Sequence, residues 1–227
     1  MTERGMIFNG EMVRAILDGR KTQTRRIMKN QPAGDYPDTP ALVRNVGPGF
    51  QWYGSYGESS IFNCPFGAVG DRIWVRETFQ GPLVSEELFE EYLAHSEKFE
   101  TPQYCEYAAD GGAKPEYCDL NDNLRHGWRP SIHMPRWASR ITLEIISVRV
   151  ERLNDISQED AQAEGIIDGG CLNCGEPEPC GCVNPQPDAT DAFAYLWQSI
   201  YGQENWDANP WVWVIEFRRI DGGDHAY

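Results

Sequence analysis

The chain is short of positive charge: 20 Lys and Arg stand against 35 Asp and Glu, a formal net charge of −15 over 227 residues. Such a balance gives no global attraction to phosphate polymers, so it argues against long nucleic acid and favours a small substrate. Long apolar runs are also missing. The most apolar stretch, Trp211 to Phe217, falls far below the ~20 residues a membrane helix needs, so no membrane association is expected. The opening Met1-Thr2-Glu3-Arg4-Gly5 has no signal-peptide core, which points to the cytosol. There is no internal repeat. Seven cysteines make an odd number for a disulfide framework, and in a reducing compartment a cysteine cluster more often holds a metal.

What is present fits an ordinary globular protein. Hydrophobic residues make up 41% and aromatics 12%, with 8 Trp, which suggests a β-rich core or a pocket that stacks planar ligands. The length suits one domain with insertions, or two small ones. Met6-Ile7-Phe8 reads as a strand. Asn9 or Gly10 can cap a helix with Met12, Val13, Ile16 and Leu17 on one face, and Gly19 suits its left-handed stop. Lys21 to Ile27 reads as a strand. Residues 28 to about 68 are rich in Pro, Gly, Asp and Asn with no sustained period, and read as a surface insertion. Gly70 to Glu77 is a turn and a strand. Ser85 opens a helix with Leu88, Phe89, Tyr92 and Leu93 on its apolar side, and Lys98 to Arg129 reads as irregular.

The clearest strand runs from Ile141 to Leu153. Its apolar parity flips between Ile145 and Ile146, which implies a bulge or sharp bend. Ser157 caps a short helix that Gly165 stops. Residues 188–200 form a second helix with Phe193, Leu196, Trp197 and Ile200 on one face. Trp211 to Phe217 is apolar on both faces through Ile215 and should be a central strand.

Two groups carry chemistry. Cys171, Cys174, Cys180 and Cys182 fall in a Gly/Pro-rich stretch, and paired cysteines at this spacing can wrap one structural zinc. The alternative is four thiols with no metal. Cys64, Cys105 and Cys118 are scattered and receive no role, and no organic cofactor is expected. Pro130 to Trp137 mixes His133, Arg136 and Trp137, which could line a base-stacking pocket or simply pack beside the long strand.

Three stretches stand out in order along the chain: Gly19-Arg20-Lys21-Thr22-Gln23-Thr24-Arg25-Arg26, then Gly70-Asp71-Arg72-Ile73-Trp74-Val75, then Leu153 through Ala161 and Glu164, echoed by Val214-Ile215-Glu216-Phe217. Together they resemble the ASCH (PUA-like) family, and in particular its branch of amidohydrolases acting on N(4)-acetylcytidine. The likeness covers roughly residues 1–27, 69–78, 130–166 and 189–220. The whole chain is also similar to uncharacterised ASCH proteins of tailed phages and prophages. The resemblance implies a mainly β fold with short helices: a single-domain, PUA-like bent β-barrel with insertions at about 28–68, 79–129 and 167–188.

It further implies that Lys21 is a base, Thr24 a nucleophile and Glu164 a proton donor, in a cleft that includes Arg26. The substrate would be a small cytosine-type nucleoside carrying an acyl group on its exocyclic amine. Glu159 competes with Glu164 for the last role. Chemically, a threonine hydroxyl needs a base in reach, and a lysine can serve only when burial or neighbouring cations keep it neutral. Arg20, Arg25 and Arg26 lie close in sequence. A glutamate in the last turn of a helix meets the negative dipole end, a setting that suits a proton donor. One objection is physical: in a regular strand Lys21 and Thr24 have opposite parity. The rival reading is therefore a non-catalytic PUA-like module that binds RNA, a modified base or a protein partner.

Overall fold

The computed structural model describes residues 1–31, 42–54, 57–118, 123–167, 182–183 and 189–220. Among these are twelve strands. The first six are β1 (Glu3–Ile7), β2 (Gln23–Ile27), β3 (Leu42–Val46), β4 (Gly49–Gly54), β5 (Gly57–Glu58) and β6 (Arg72–Arg76). The others are β7 (Phe79–Gln80), β8 (Glu106–Tyr107), β9 (Glu116–Cys118), β10 (Leu124–His126), β11 (Thr142–Arg152) and β12 (Trp211–Ile220). Five helices join them: α1 (Gly10–Leu17), α2 (Phe89–Ala94), α3 (Gln158–Ala163), α4 (Ala189–Tyr201) and α5 (Gln203–Asp207). The fold is mainly β with short helices. No closed barrel is present among the described residues.

The chain divides into two compact units. The first comprises Met1–Asp18 and Arg72–Glu144 with the end of β12. Here β1 pairs parallel with β6, and β6 pairs antiparallel with the start of β11. Helix α1 begins where Asn9 Oδ1 accepts from the Met12 amide at 2.8 Å, so the expected cap is formed. Gly19, at φ +75°, follows its end. The helix expected to open at Ser85 is α2, preceded by a short 3-10 turn. Lys98 to Arg129, expected to be irregular, instead carries β8 and the β9–β10 ladder, with Phe99 and Tyr107 buried.

The second unit comprises Gly19–Asp71 and Ile145–Arg218, with strand order β11-β12-β2. β12 is central, as its two-faced apolar run requires: Trp211 through Ile215 are all buried. β2 begins at Gln23, two residues later than the sequence suggests, so Lys21 precedes the regular strand. The change of buried face expected between Ile145 and Ile146 in β11 is not seen: Ile145 is fully buried, Ile146 is 46% exposed as simple alternation requires, and residues 147–152 are all half-buried. Helix α4 buries Phe193 and Trp197 but leaves Ile200 at its exposed end, against expectation.

The register of β12 on β2 sorts their side chains into two faces, because directly opposed residues share a face. Val212 and Val214 oppose Ile27 and Arg25, and this face packs on Leu153, Ala161, Phe193 and Trp197 of the α3 and α4 layer. Trp213 and Ile215 oppose Arg26 and Thr24 on the other face.

That other face corrects the reading of 28–68 as irregular. β3, β4 and β5 form an antiparallel three-stranded sheet there. Phe50 and Phe62 set their rings against Trp213 at 5.2 and 5.9 Å, both edge-on, a geometry that adds to the burial of three large aromatics.

Candidate functional site

α3 runs along the strand face that carries Gln23 and Arg25, and its ends are fixed by local chemistry. Ser157 Oγ accepts from the Asp160 amide at 3.1 Å. At the other end Glu164 is the C-cap, and Gly165 takes φ +95°, a value that favours glycine. The helix therefore presents Asp160 and Glu164, four apart, to the odd-numbered residues 21, 23 and 25.

The result is a ladder of ion pairs. Lys21 Nζ donates to Glu164 Oε2 at 2.5 Å and to the Glu164 carbonyl at 2.8 Å, so the lysine also caps the helix end. Gln23 Nε2 donates to the Asp160 carbonyl at 3.0 Å. Arg25 Nη2 donates to Asp160 Oδ2 at 2.9 Å and Glu151 Oε2 at 3.2 Å, and its guanidinium lies 5.9 Å from the Phe193 ring centre. Arg149 completes the row, bonding Asp160 Oδ1 at 2.7 Å and contacting Glu151 and Glu216.

Three cations thus meet four carboxylates in one row. The ladder is dry at one end and wet at the other. The Lys21 and Arg25 side chains are fully buried and that of Glu164 is 3% exposed, while those of Asp160, Glu151 and Arg149 are 22–27% exposed.

Burial pushes the Lys21 amine below its ordinary value. The charge and hydrogen bond of Glu164 oppose that shift, and the charges of Arg26 and Arg25 add to it. Burial pushes the Asp160 carboxyl up, but the Arg149 hydrogen bond and the nearby Arg25 outweigh it and hold it below the ordinary carboxylate value.

At the dry end polar atoms outrun their partners. Arg25 Nε and Nη1 and Glu164 Oε1 are buried with no hydrogen-bond partner among the described residues. Arg25 Nη1 and Glu164 Oε1 face each other at 3.5 Å, too long to satisfy either fully. Each such buried atom costs about 1–3 kcal/mol, a cost that is tolerated where function needs it.

The sequence-derived candidates are sorted by this geometry. Lys21 and Glu164 are brought together, and Glu159, the competitor, is exposed. Thr24 is buried but lies on the opposite strand face beside Ile215, and its Oγ1 has no hydrogen-bond partner among the described residues. Arg26 shares that second face, opposed to Trp213. The expected single cleft holding all four is therefore not formed around the Lys21–Glu164 pair, because odd and even residues of β2 diverge.

His133, Arg136 and Trp137 belong to the first unit. Arg136 forks onto Glu3 at 2.9 Å through both Nε and Nη2, Trp137 packs against the cluster of Phe79, Tyr107, Met134 and Ala138, and His133 is exposed. Of the metal candidates, Cys171, Cys174 and Cys180 lie outside the described residues, and Cys182 is half-buried.

Arg25, Asp160, Arg149 and Glu151 were missed as site members. Charged residues on a strand read as solvated, and only the Asp160/Glu164 spacing on a short capped helix could have flagged an inward acidic edge. The first unit holds a second buried ionic group, in which Arg140 binds Glu77 through two bonds of 3.0 Å and stacks 3.9 Å over Tyr107. No helix among the described residues is long and apolar enough to cross a membrane. No family model, curated protein or solved structure matches the chain.

Proposed function

We propose that the chain is an ASCH-type amidohydrolase that removes an acyl group from the exocyclic amine of a cytosine-type nucleoside, with the Lys21–Glu164 pair as its working centre. One observation supports this reading above the others. A lysine wholly withdrawn from water touches a buried carboxylate beside an arginine whose Nε and Nη1 have no hydrogen-bond partner among the described residues.

In this scheme neutral Lys21 takes a proton from a water, whose oxygen attacks the acyl carbon. Arg25 Nε and Nη1 stabilise the resulting oxyanion. Protonated Glu164 gives its proton to the leaving N(4) as the C–N bond breaks, releasing the carboxylic acid and the free amine. Lys21 then returns its proton to Glu164. The attacking oxygen is assigned to water because Thr24 lies on the other face of β2.

A second reading has its own support. The burial of Lys21 and Glu164 leaves no room for a nucleoside without opening, which favours a non-catalytic PUA-like module in which the ladder simply clamps α3 to the sheet. Incubation of the purified chain with N(4)-acetylcytidine separates the two. Release of cytidine and acetate that Glu164→Gln abolishes, in a variant that still melts cooperatively, supports the enzyme. Absence of cytidine with the parent chain supports the module.

A further inference from the structure

The first unit holds a cleft of about 750 Å³ that the Lys21–Glu164 chemistry does not use. That volume falls in the range of small-molecule sites. It is walled by the segment that follows β7, by α2 and by β9, and Arg129 borders it. Reciprocal backbone bonds between Phe79 and Arg129, of 3.1 and 2.7 Å, fix that border.

Three features define what it could hold. Phe89, Tyr92 and Tyr117 line it with half-buried rings, and Tyr92 is braced edge-on by buried Phe99 at 5.6 Å. Gln80 also lines it, is only 2% exposed, and its Oε1 has no hydrogen-bond partner among the described residues. A half-turn of the terminal amide exchanges its oxygen and nitrogen, so either end can turn to the cleft. Finally, Arg129 is matched by two carboxylates, Glu86 and Glu116, so the cleft has no net attraction for an anion.

We propose that this cleft binds a neutral planar heteroaromatic molecule bearing a donor and an acceptor side by side, the chemistry of a free nucleobase or nucleoside. The rings of Tyr92, Tyr117 and Phe89 offer stacking faces, which suit any base. The Gln80 amide reads the edge, matching one donor and one acceptor as glutamine does with bases elsewhere. The site belongs to the first unit and stands whether or not Lys21 and Glu164 are catalytic.

The test is calorimetric titration of the full chain with adenosine, cytidine, guanosine and uridine, with inorganic phosphate as the anion control. At least one nucleoside binds once per chain with a Kd below ~1 mM, and phosphate does not. Gln80→Leu weakens that binding tenfold or more while leaving the melting temperature unchanged or raised, since it removes an unpartnered buried amide. Tyr117→Ala, at a half-buried ring, weakens binding by a similar factor and decides the matter if Gln80→Leu fails to fold. No nucleoside bound at ~1 mM, or unchanged binding in both cleft variants, overturns the assignment.

Discussion

Lys21 and Glu164 are 143 residues apart in sequence, yet the lysine Nζ lies 2.5 Å from the glutamate Oε2, with both side chains almost wholly removed from water. Removing one partner of such a pair leaves an uncompensated buried charge. Lys21→Met should therefore destabilise the fold by about 3–5 kcal/mol in urea unfolding. The double variant Lys21→Met/Glu164→Leu should recover most of that loss, since apolar replacement of a whole buried pair is often neutral. Equal destabilisation by the single and double variants would show that the pair is not a unit.

The same lysine sets a pH dependence on the alkaline side. Its folded value is lowered by burial, against about 10.4 when unfolded, so between the two the unfolded chain binds more protons. Stability contributed by this group then rises with pH through that window. The stability difference between the parent and Lys21→Met, measured by urea midpoint at intervals from pH 7 to 10.5, should widen upward. A flat difference would place Lys21 near its ordinary value.

Asp160 acts on the acid side with the opposite sign. Its folded value is depressed, so its stabilisation is complete above about pH 3.9 and is lost as pH falls through the folded value. Asp160→Asn should be less stable than the parent at pH 6 and lose less stability on acidification. Its ion pairs with Arg25 and Arg149 are the physical source.

Zinc supplies a prediction that rests on spacing alone. Cys171, Cys174, Cys180 and Cys182 should hold close to one zinc per untagged chain, and Cys174→Ser should release it without unfolding the two units. Less than half an equivalent by metal analysis would favour the thiol alternative.

Much of the frame was legible in the sequence, for physical reasons that differ by element. The caps at Asn9 and Ser157, the stops at Gly19 and Gly165, and the central β12 follow from short-range rules that the surrounding packing does not override. The β3–β5 sheet was not legible. Its strands are half-exposed, interrupted by glycines, and gain their support from Trp213, more than 150 residues further along the chain. The pairing of Lys21 with Glu164 was legible only through the family resemblance. The placing of Thr24 was foreshadowed by parity, because Gln23 and Arg25 share the α3 face and the residue between them cannot.

The measurement that bears most directly on the account compares turnover of N(4)-acetylcytidine by the parent, Glu164→Gln, Arg25→Lys and Thr24→Val. If the Lys21–Glu164 pair works with water, the parent releases cytidine and Thr24→Val stays within about threefold of it. Glu164→Gln and Arg25→Lys each lose at least 100-fold, the scale expected for a proton donor or an oxyanion donor. Activity abolished by Thr24→Val but kept in Glu164→Gln, or no cytidine from the parent at all, would contradict it.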